Sequence, residues 1–420
     1  MYLHSDVNAF FVSCQVAMEP SLMGKPVVVA TNNDGAIAAL NAEAKSLGLK
    51  RGQPLFEVQQ ILRQNAVRIF SSNFVLYGDF SARFHTTVGE SVPASMPYSC
   101  DEIFCSLHGM GSLVNYENFG RQLREKVFRH TSLKCGIGIA ETKTLCKAAT
   151  WAAKKYPKTQ GVVVLDDPAR RDRLLSLIEI RDIWGIGSRL AKRLNDIGVY
   201  TALELARMDI RLVRRLMGVV VERTVRELRG EPCFGLDETP PTRKQIIVSR
   251  SFGQRTTSID DVQQAVCTFT CRAAEKLRRD RTFAGAITVF IQNSRYDQTE
   301  PYFSAVALEP LPATQDSRDL IRAAQTALHR IWRPGIHYAK AGVMLSEIGD
   351  GREQLDLFNI NQPGKNSQEL MHLIDKMNTA QRGTIFMAGE GIHGRYRGKQ
   401  QWLSPCYTTR WKDLPVAWIK

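Results

Sequence analysis

Three acidic side chains stand in stretches that otherwise read as buried strand. Asp6 closes the apolar run that opens the chain, and Asp101-Glu102 lies between Tyr98-Ser99-Cys100 and Ile103-Phe104-Cys105. An unpaired carboxylate is costly to bury, so a fold that accepts all three must surround them with a cation or with hydrogen-bond donors. Hard divalent ions held by oxygen ligands meet that requirement. Two such ions, roughly 3.5 to 4 Å apart, can activate a hydroxyl nucleophile and stabilise a leaving group. Neighbouring residues on an ideal strand point to opposite faces, so Asp101 and Glu102 reach one site only at a turn or a strand distortion. Taken singly, Asp6 reads as a strand-end residue and the Asp-Glu pair as a hairpin corner.

At 420 residues the chain is too long for one ordinary core, and length alone suggests about three domains. Lysine and arginine number 56 against 42 aspartate and glutamate, a formal charge of +14. The pI of about 9.4 favours a polyanionic partner, nucleic acid first, over an ordinary basic protein. The nine cysteines run from Cys14 to Cys406 with no CxxC pair, as expected in a reducing cytoplasm. Cys267 and Cys271, four apart on an expected helix, read as packing. The chain opens without a signal-peptide pattern and has no apolar stretch of the ~18 residues a membrane span needs, so no membrane partner is expected.

Tyr2–Leu3, Val27–Ala30 and Cys135–Ile139 read as strands, and 41–49 and Thr144–Lys155 as helices stopped by Gly52 and Pro157. From about 165 to 233 the pattern is helical and arginine-rich. A linker is expected at 234–243, where Pro240-Pro241 breaks the pattern. Beyond it, Gln245–Val248, Ala284–Ile291 and Ala341–Leu345 look like strands between helices near 262–279 and 316–332. In the C-terminal part, Leu370, Leu373, Ile374 and Met377 mark one amphipathic helix, in a tail expected to stand outside the core. Trp184-Gly185-Ile186-Gly187, with Ser188 as the expected N-cap, opens a helix containing Leu190, Leu194 and Ile197. A second helix starts at Thr201 with Glu204 completing a capping box, so the segment reads as a helix-hairpin-helix. Gly185 and Gly187 would let backbone N–H groups approach a DNA phosphate without reading sequence.

Asp6-Val7-Asn8-Ala9-Phe10-Phe11-Val12-Ser13-Cys14 and Ser99-Cys100-Asp101-Glu102-Ile103-Phe104 resemble the two acidic motifs of the Y-family, or translesion, DNA polymerases. Ser71-Ser72-Asn73, residues 222–232, 249–253 and 314–318 extend the likeness from end to end, within the UmuC-like branch. The resemblance implies an α+β multi-domain, right-hand polymerase: palm at 1–9 and 72–160, fingers at 10–71, and helix-hairpin-helix thumb at 161–233. The little finger would cover 244–349, and a partner-binding region 350–420. It implies that Asp6, Asp101 and Glu102, with the Val7 carbonyl, bind two Mg²⁺ ions. Phe11 would be the steric gate that excludes a 2′-hydroxyl, while Phe10 is core.

Lys45 and Lys154 would face the triphosphate of a deoxynucleoside substrate. The chain departs from other branches of the family at Leu40, Ala42 and Lys45. A lysine lacks arginine's bidentate fork, so nucleotide grip is expected to be weaker or dependent on a partner. Gly185, Ile186 and Gly187, with the cluster Arg272, Lys276, Arg278, Arg279 and Arg281, would hold primer-template DNA by its backbone. Gln354-Leu355-Asp356-Leu357-Phe358 matches the bacterial sliding-clamp peptide, with Leu357 and Phe358 as apolar anchors. The basic, aromatic tail would dock a processed UmuD-like dimer and RecA. The implied setting is the SOS response, at the nucleoid in the cytoplasm. Two other readings are weighed: a silent DNA-binding scaffold, against which all three carboxylates stand, and another two-metal enzyme such as a nucleotide cyclase, disfavoured by Phe11, the hairpin and the clamp peptide.

Overall fold

The computed structural model describes residues 1–110, 114–236, 243–350, 367–380, 384–392, 394 and 398–414. They cluster into two units. The first contains residues 1–30, 36–236 and 402–414, and the second contains 31–35 and 243–401 where described.

The first unit carries strands β1 (Tyr2–Val7), β2 (Val27–Ala30), β3 (Ile37–Leu40), β4 (Arg68–Ser71), β5 (Ala94–Pro97), β6 (Glu102–Ser106), β7 (Cys135–Ala140) and β8 (Val162–Leu165). A five-stranded sheet runs β5-β6-β1-β7-β8, and a three-stranded sheet runs β3-β2-β4. β1 is central in the larger sheet, antiparallel to β6 and β7, and both of its faces are covered. Leu3 and Val7 join Ile103, Cys105, Ile137 and Ile139 in a core closed by the helices Phe74–Gly89 and Tyr116–Thr131. The opposite face, carrying His4, Asp6, Glu102 and Phe104, lies towards the helix Lys143–Lys155.

Two glycines in β7 explain how closely that helix approaches. A Cβ at Gly138 would lie 2.2 Å from the Cys146 carbonyl oxygen and 2.5 Å from the Thr150 nitrogen. At Gly136 it would lie 2.8 Å from Lys154 Cγ. The N-terminus of the same helix is fastened to the helical segment that follows. Glu227, fully buried on helix Val219–Leu228, accepts from the Thr144 N–H at 2.8 Å and from the Cys233 and Phe234 N–H groups at 2.9 and 3.2 Å. A buried carboxylate with three N–H donors is satisfied, and truncating it would strand all three.

The segment from 168 to 228 is helical, and the Thr201–Glu204 capping box is present. Ser188 is not the N-cap. Gly187 occupies that position without a side-chain bond, and Ser188 begins the helix Ser188–Asn195. The positive φ of Gly185, 85°, turns the chain into it.

The second unit is a four-stranded antiparallel sheet in the order β11-β10-β12-β9, from β9 (Ile246–Thr256), β10 (Phe283–Gln292), β11 (Ser304–Thr314) and β12 (Tyr338–Gly349). Helices Ile259–Arg279 and Ser317–Ile331 back one face of it. β11 escaped the sequence pattern because it holds Pro310 and Pro312, which an edge strand tolerates.

The C-terminal helix Ser367–Ala380 buries Met371 and bonds Asp375 to Arg278. Its apolar positions Leu370, Leu373 and Met377 are exposed. Part of the tail does join the first unit, contrary to expectation. Ser71 N–H donates to the Trp402 carbonyl at 2.9 Å, the Trp402 N–H donates to Ser71 Oγ at 3.0 Å, and buried Asn73 donates to the Ser404 carbonyl at 3.0 Å.

Gly138→Ala should destabilise the protein by about 1–3 kcal/mol, since the added methyl meets helix backbone rather than a movable side chain. Urea unfolding checks this, and an unchanged midpoint would show that the Lys143–Lys155 helix is free to move off β7.

Candidate active site

Asp6 and Glu102 are opposite residues on β1 and β6, so their side chains emerge from the same end and face of the sheet. The alternation problem at Asp101-Glu102 is solved by a turn. Tyr98 and Ser99 donate their N–H groups to the Glu102 carbonyl at 3.0 and 3.2 Å, which leaves Asp101 in the bend before β6. Val7 N–H donates to the Asp101 carbonyl at 2.9 Å, and Ser99 Oγ donates to Asp101 Oδ1 at 2.7 Å. The three carboxylates, Val7, Phe11, Lys45 and Lys154 line one cavity of about 700 Å³.

Two lysines counter the partly buried acids. Lys154 pairs with Asp6 and donates to the Val7 carbonyl at 3.2 Å, while Lys147 lies 3.0 Å from both Glu102 oxygens. Burial still raises the Asp6 pKa from 3.8 to about 6; Lys154 opposes that rise, and the charges of Glu102 and Asp101 add to it. His4, two residues earlier on the same strand face, is held neutral by burial and by the two lysines. The Cys100 thiol is pushed up to about 11, first by burial and then by Asp101, so it stays protonated beside the acids.

The donors are therefore carboxylates and a carbonyl, the set that suits a hard divalent cation. Among the described residues no three His, Cys, Asp or Glu side chains already surround one point as a metal cage. Lys147 and Lys154 hold oxygens that an ion would need. The donor chemistry fits a divalent ion, and the two ammonium groups compete with one for these oxygens.

Ala9 adopts a left-handed conformation, φ 44°, between β1 and helix Phe10–Met18. This turn buries Phe10 and sets Phe11 at the cavity, its ring stacked on Tyr77 at 4.6 Å and 15°. Lys147 was absent from the sequence reading. Its spacing of seven from Lys154 puts both on one helix face, and that was the available signal.

The other expected residues lie elsewhere. Gly185 and Gly187 expose their backbone, but Ile186 is buried in the adjacent core, and its side chain anchors the turn instead of meeting a ligand. Arg272, Lys276, Arg279 and Arg281 are exposed. Arg278 is the exception in that cluster. Its side chain is 10% exposed and is bound to both Asp375 oxygens at 2.6 and 2.7 Å and to the Gln315 carbonyl at 2.9 Å, so it fastens the C-terminal helix and is not free for a polyanion. Gln354–Phe358 lies outside the described residues.

Residues 5–151 match a family model described as the impB/mucB/samB family, residues 243–357 match that family's C-terminal domain, and residues 368–417 match a domain of unknown function, DUF4113. The chain is 48% identical to Protein MucB of Salmonella typhimurium over 100% of both chains. It is 45% identical to Protein UmuC of Salmonella typhimurium over 99% of each. A DNA polymerase IV from Pelotomaculum thermopropionicum is 27% identical, over 85% of this chain and 87% of the relative. Among solved structures, a Y-family DNA polymerase chimera of Dbh and Dpo4 superposes with a TM-score of 0.64 at 20% identity, covering 83% of this chain and 98% of that one, a likeness of fold.

The raised Asp6 pKa sets a pH dependence. The folded value, about 6, lies above the ordinary 3.8, so the fold favours the neutral acid. The associated stability is complete below the unfolded value and is lost as pH rises through about 6. In chelator, the stability of the wild type relative to Asp6→Asn should fall by on the order of 3 kcal/mol between pH 4 and 7. Urea melts of both proteins across that range test it, and a pH-independent difference would be incompatible with a buried, proton-favouring Asp6.

Proposed function

The chain belongs to the impB/mucB/samB family, and we propose that it copies damaged DNA by adding deoxynucleotides to a primer end through the carboxylates Asp6, Asp101 and Glu102. It is a DNA-directed DNA polymerase of the translesion type, a metal-dependent nucleotidyltransferase whose partners are DNA and deoxynucleoside triphosphates. One observation carries the assignment of the site: Asp6 and Glu102 are paired across adjacent strands, with Asp101 in the turn beside them and Phe11 in the same cavity.

The residues divide the work by their chemistry. Asp6, Asp101, Glu102 and the Val7 carbonyl would hold two Mg²⁺ ions. Bound there, the ions would ease deprotonation of the primer 3′-hydroxyl and take up charge on the departing pyrophosphate. Lys154, released from Asp6, can neutralise triphosphate oxygens, and exposed Lys45, which lines the same cavity, can do so too. The Phe11 ring, backed by Tyr77, leaves no room for a 2′-hydroxyl. Gly185 and Gly187 offer N–H groups to a backbone phosphate at the start of a helix. Arg272, Lys276 and Arg279 remain candidates for a salt-sensitive contact with duplex, without Arg278.

The palm would comprise 1–9 and 72–160, the fingers 10–71, the thumb 161–233 and the little finger 244–349. The C-terminal region would meet a UmuD-like dimer and RecA, as part of SOS mutagenesis.

Primer extension tests the site. Asp101→Ala or Glu102→Ala should lower Mg²⁺-dependent insertion by at least about 100-fold, whereas Phe11→Ala should stay active and raise the ratio of ATP to dATP inserted. Near-normal extension by either acidic-site variant rules out the metal assignment, and an unchanged sugar ratio returns Phe11 to a packing role.

A separate measurement addresses Gln354–Phe358, a peptide proposed to tether the enzyme to a sliding clamp and so raise its effective concentration on DNA. Replacing Leu357 and Phe358 by Ala should weaken clamp binding by more than about tenfold and shorten clamp-stimulated products. Clamp-free insertion should be unaltered. Full clamp stimulation in the double variant would refute tethering.

A further inference from the structure

The ammonium of Lys147 is enclosed as well as paired. Besides its two 3.0 Å contacts with Glu102, it lies 4.7 Å from the Tyr98 ring centroid, 5.5 Å from that of Trp184 and 5.8 Å from that of Phe104. The rings also hold one another. Trp184 Nε1 is 3.1 Å from Tyr98 Oη, and the ring centroids are 5.5 to 5.8 Å apart. Only 15% of the lysine side chain is exposed. Aromatic faces stabilise a cation, and more strongly when water is excluded.

The walls of this cage come from different parts of the chain. Tyr98 sits at the turn that presents Asp101 and Glu102, Phe104 is two residues further along β6, and Trp184 immediately precedes Gly185. With Lys147 on both Glu102 oxygens, a divalent ion arriving at that carboxylate competes with the ammonium for it. A lysine forced off its carboxylate beside an arriving ion is repelled by it. The three rings give the ammonium a place to remain without Glu102, so the cost of loading an ion depends on the cage being closed. Its closure depends on Trp184, whose position is tied to the Gly185–Gly187 turn.

From this we infer that phosphate seating at the Gly185–Gly187 turn and divalent-ion loading at Glu102 are coupled through Trp184 and the caged ammonium of Lys147. Lys147 and Trp184 are positioning residues in this scheme. The inference rests on the reading of the turn as a phosphate site and of Glu102 as a metal ligand. Coupling between two binding sites is reciprocal, so the ion must tighten DNA by the same factor that DNA tightens the ion.

The test uses the full-length protein and a fluorescent primer-template. Its dissociation constant is measured by anisotropy in chelator and in Ca²⁺ at constant ionic strength, and Mn²⁺ affinity is measured by electron paramagnetic resonance with and without the oligonucleotide. The wild type should bind DNA at least about fivefold tighter with the ion, the lower end of ordinary coupling between sites. Trp184→Leu should bring that ratio close to one, and Trp184→Phe, which keeps a ring in the cage, should preserve most of it. Lys147→Met should tighten Mn²⁺ without DNA and also abolish the ratio.

A wild-type ratio retained in Trp184→Leu, or in Lys147→Met should the tryptophan variant fail to fold, overturns the coupling. Primer extension by the wild type separates the two levels of the argument. Extension with an unaltered ratio in all variants removes only the coupling, whereas the absence of metal-dependent extension removes the polymerase reading.

Discussion

Much of the first unit is arranged around the partial burial of Asp6 and Glu102 at the ends of adjacent strands. Carboxylates there cannot be left to solvent or to one another, and the fold answers with two ammonium groups from a single helix face, Lys147 and Lys154. Their reach depends on how near the Lys143–Lys155 helix lies to the sheet. That separation depends in turn on Gly136 and Gly138, where any side chain would strike the helix or Lys154. The same helix is pinned at its start by Glu227 through Thr144. Strand, counter-ion helix and the following helical segment are thus held by one chain of contacts, and a shift in any of them would change the charge balance at the carboxylates.

Balance is also kept at the turn between β1 and the next helix. A left-handed alanine costs roughly 1–2 kcal/mol relative to an ordinary helical residue, yet Ala9 holds φ 44°. The cost is offset locally: Ser13 Oγ donates to the Asn8 carbonyl at 2.6 Å, Ser13 N–H donates to the Ala9 carbonyl at 3.0 Å, and Phe10 enters the core. Its structural result is the separation of two adjacent phenylalanines, one buried and one at the cavity. Strain of this size at a candidate active site is consistent with positioning.

The carboxylates, the strand that carries them and the capping box were legible because each depends on a local pattern. Asp101-Glu102 could be placed only conditionally, since the turn that resolves it is made by the Tyr98 and Ser99 N–H groups and has no sequence mark of its own. Lys147 carries a weaker signal, its spacing from Lys154 alone. A lysine at a helical spacing from Lys154 looks like a solvated face until the three aromatic walls, Tyr98, Phe104 and Trp184, are known. Periodicity located the C-terminal helix but not the contacts that fasten it. Leu370, Leu373 and Met377 mark the helical spacing, whereas the contacts that fasten the helix are Met371 and the Asp375–Arg278 pair.

Charge shows why composition alone overstates the DNA-facing surface. The formal excess of +14 counts every lysine and arginine equally. Lys147, Lys154 and Arg278 are already committed to internal carboxylates. A cation in such a pair can be lent to a polyanion only if its own acid acquires another partner. Under the proposed metal assignment that exchange is open to Lys154, which an ion held by Asp6 would free, while Lys147 stays among its three rings. It is not evident for Arg278, whose guanidinium also bonds the Gln315 carbonyl and Ser317. The number of phosphates neutralised, which sets the salt dependence of binding, should therefore follow the exposed cations such as Arg272, Lys276 and Arg279, and not Lys147, Lys154 or Arg278.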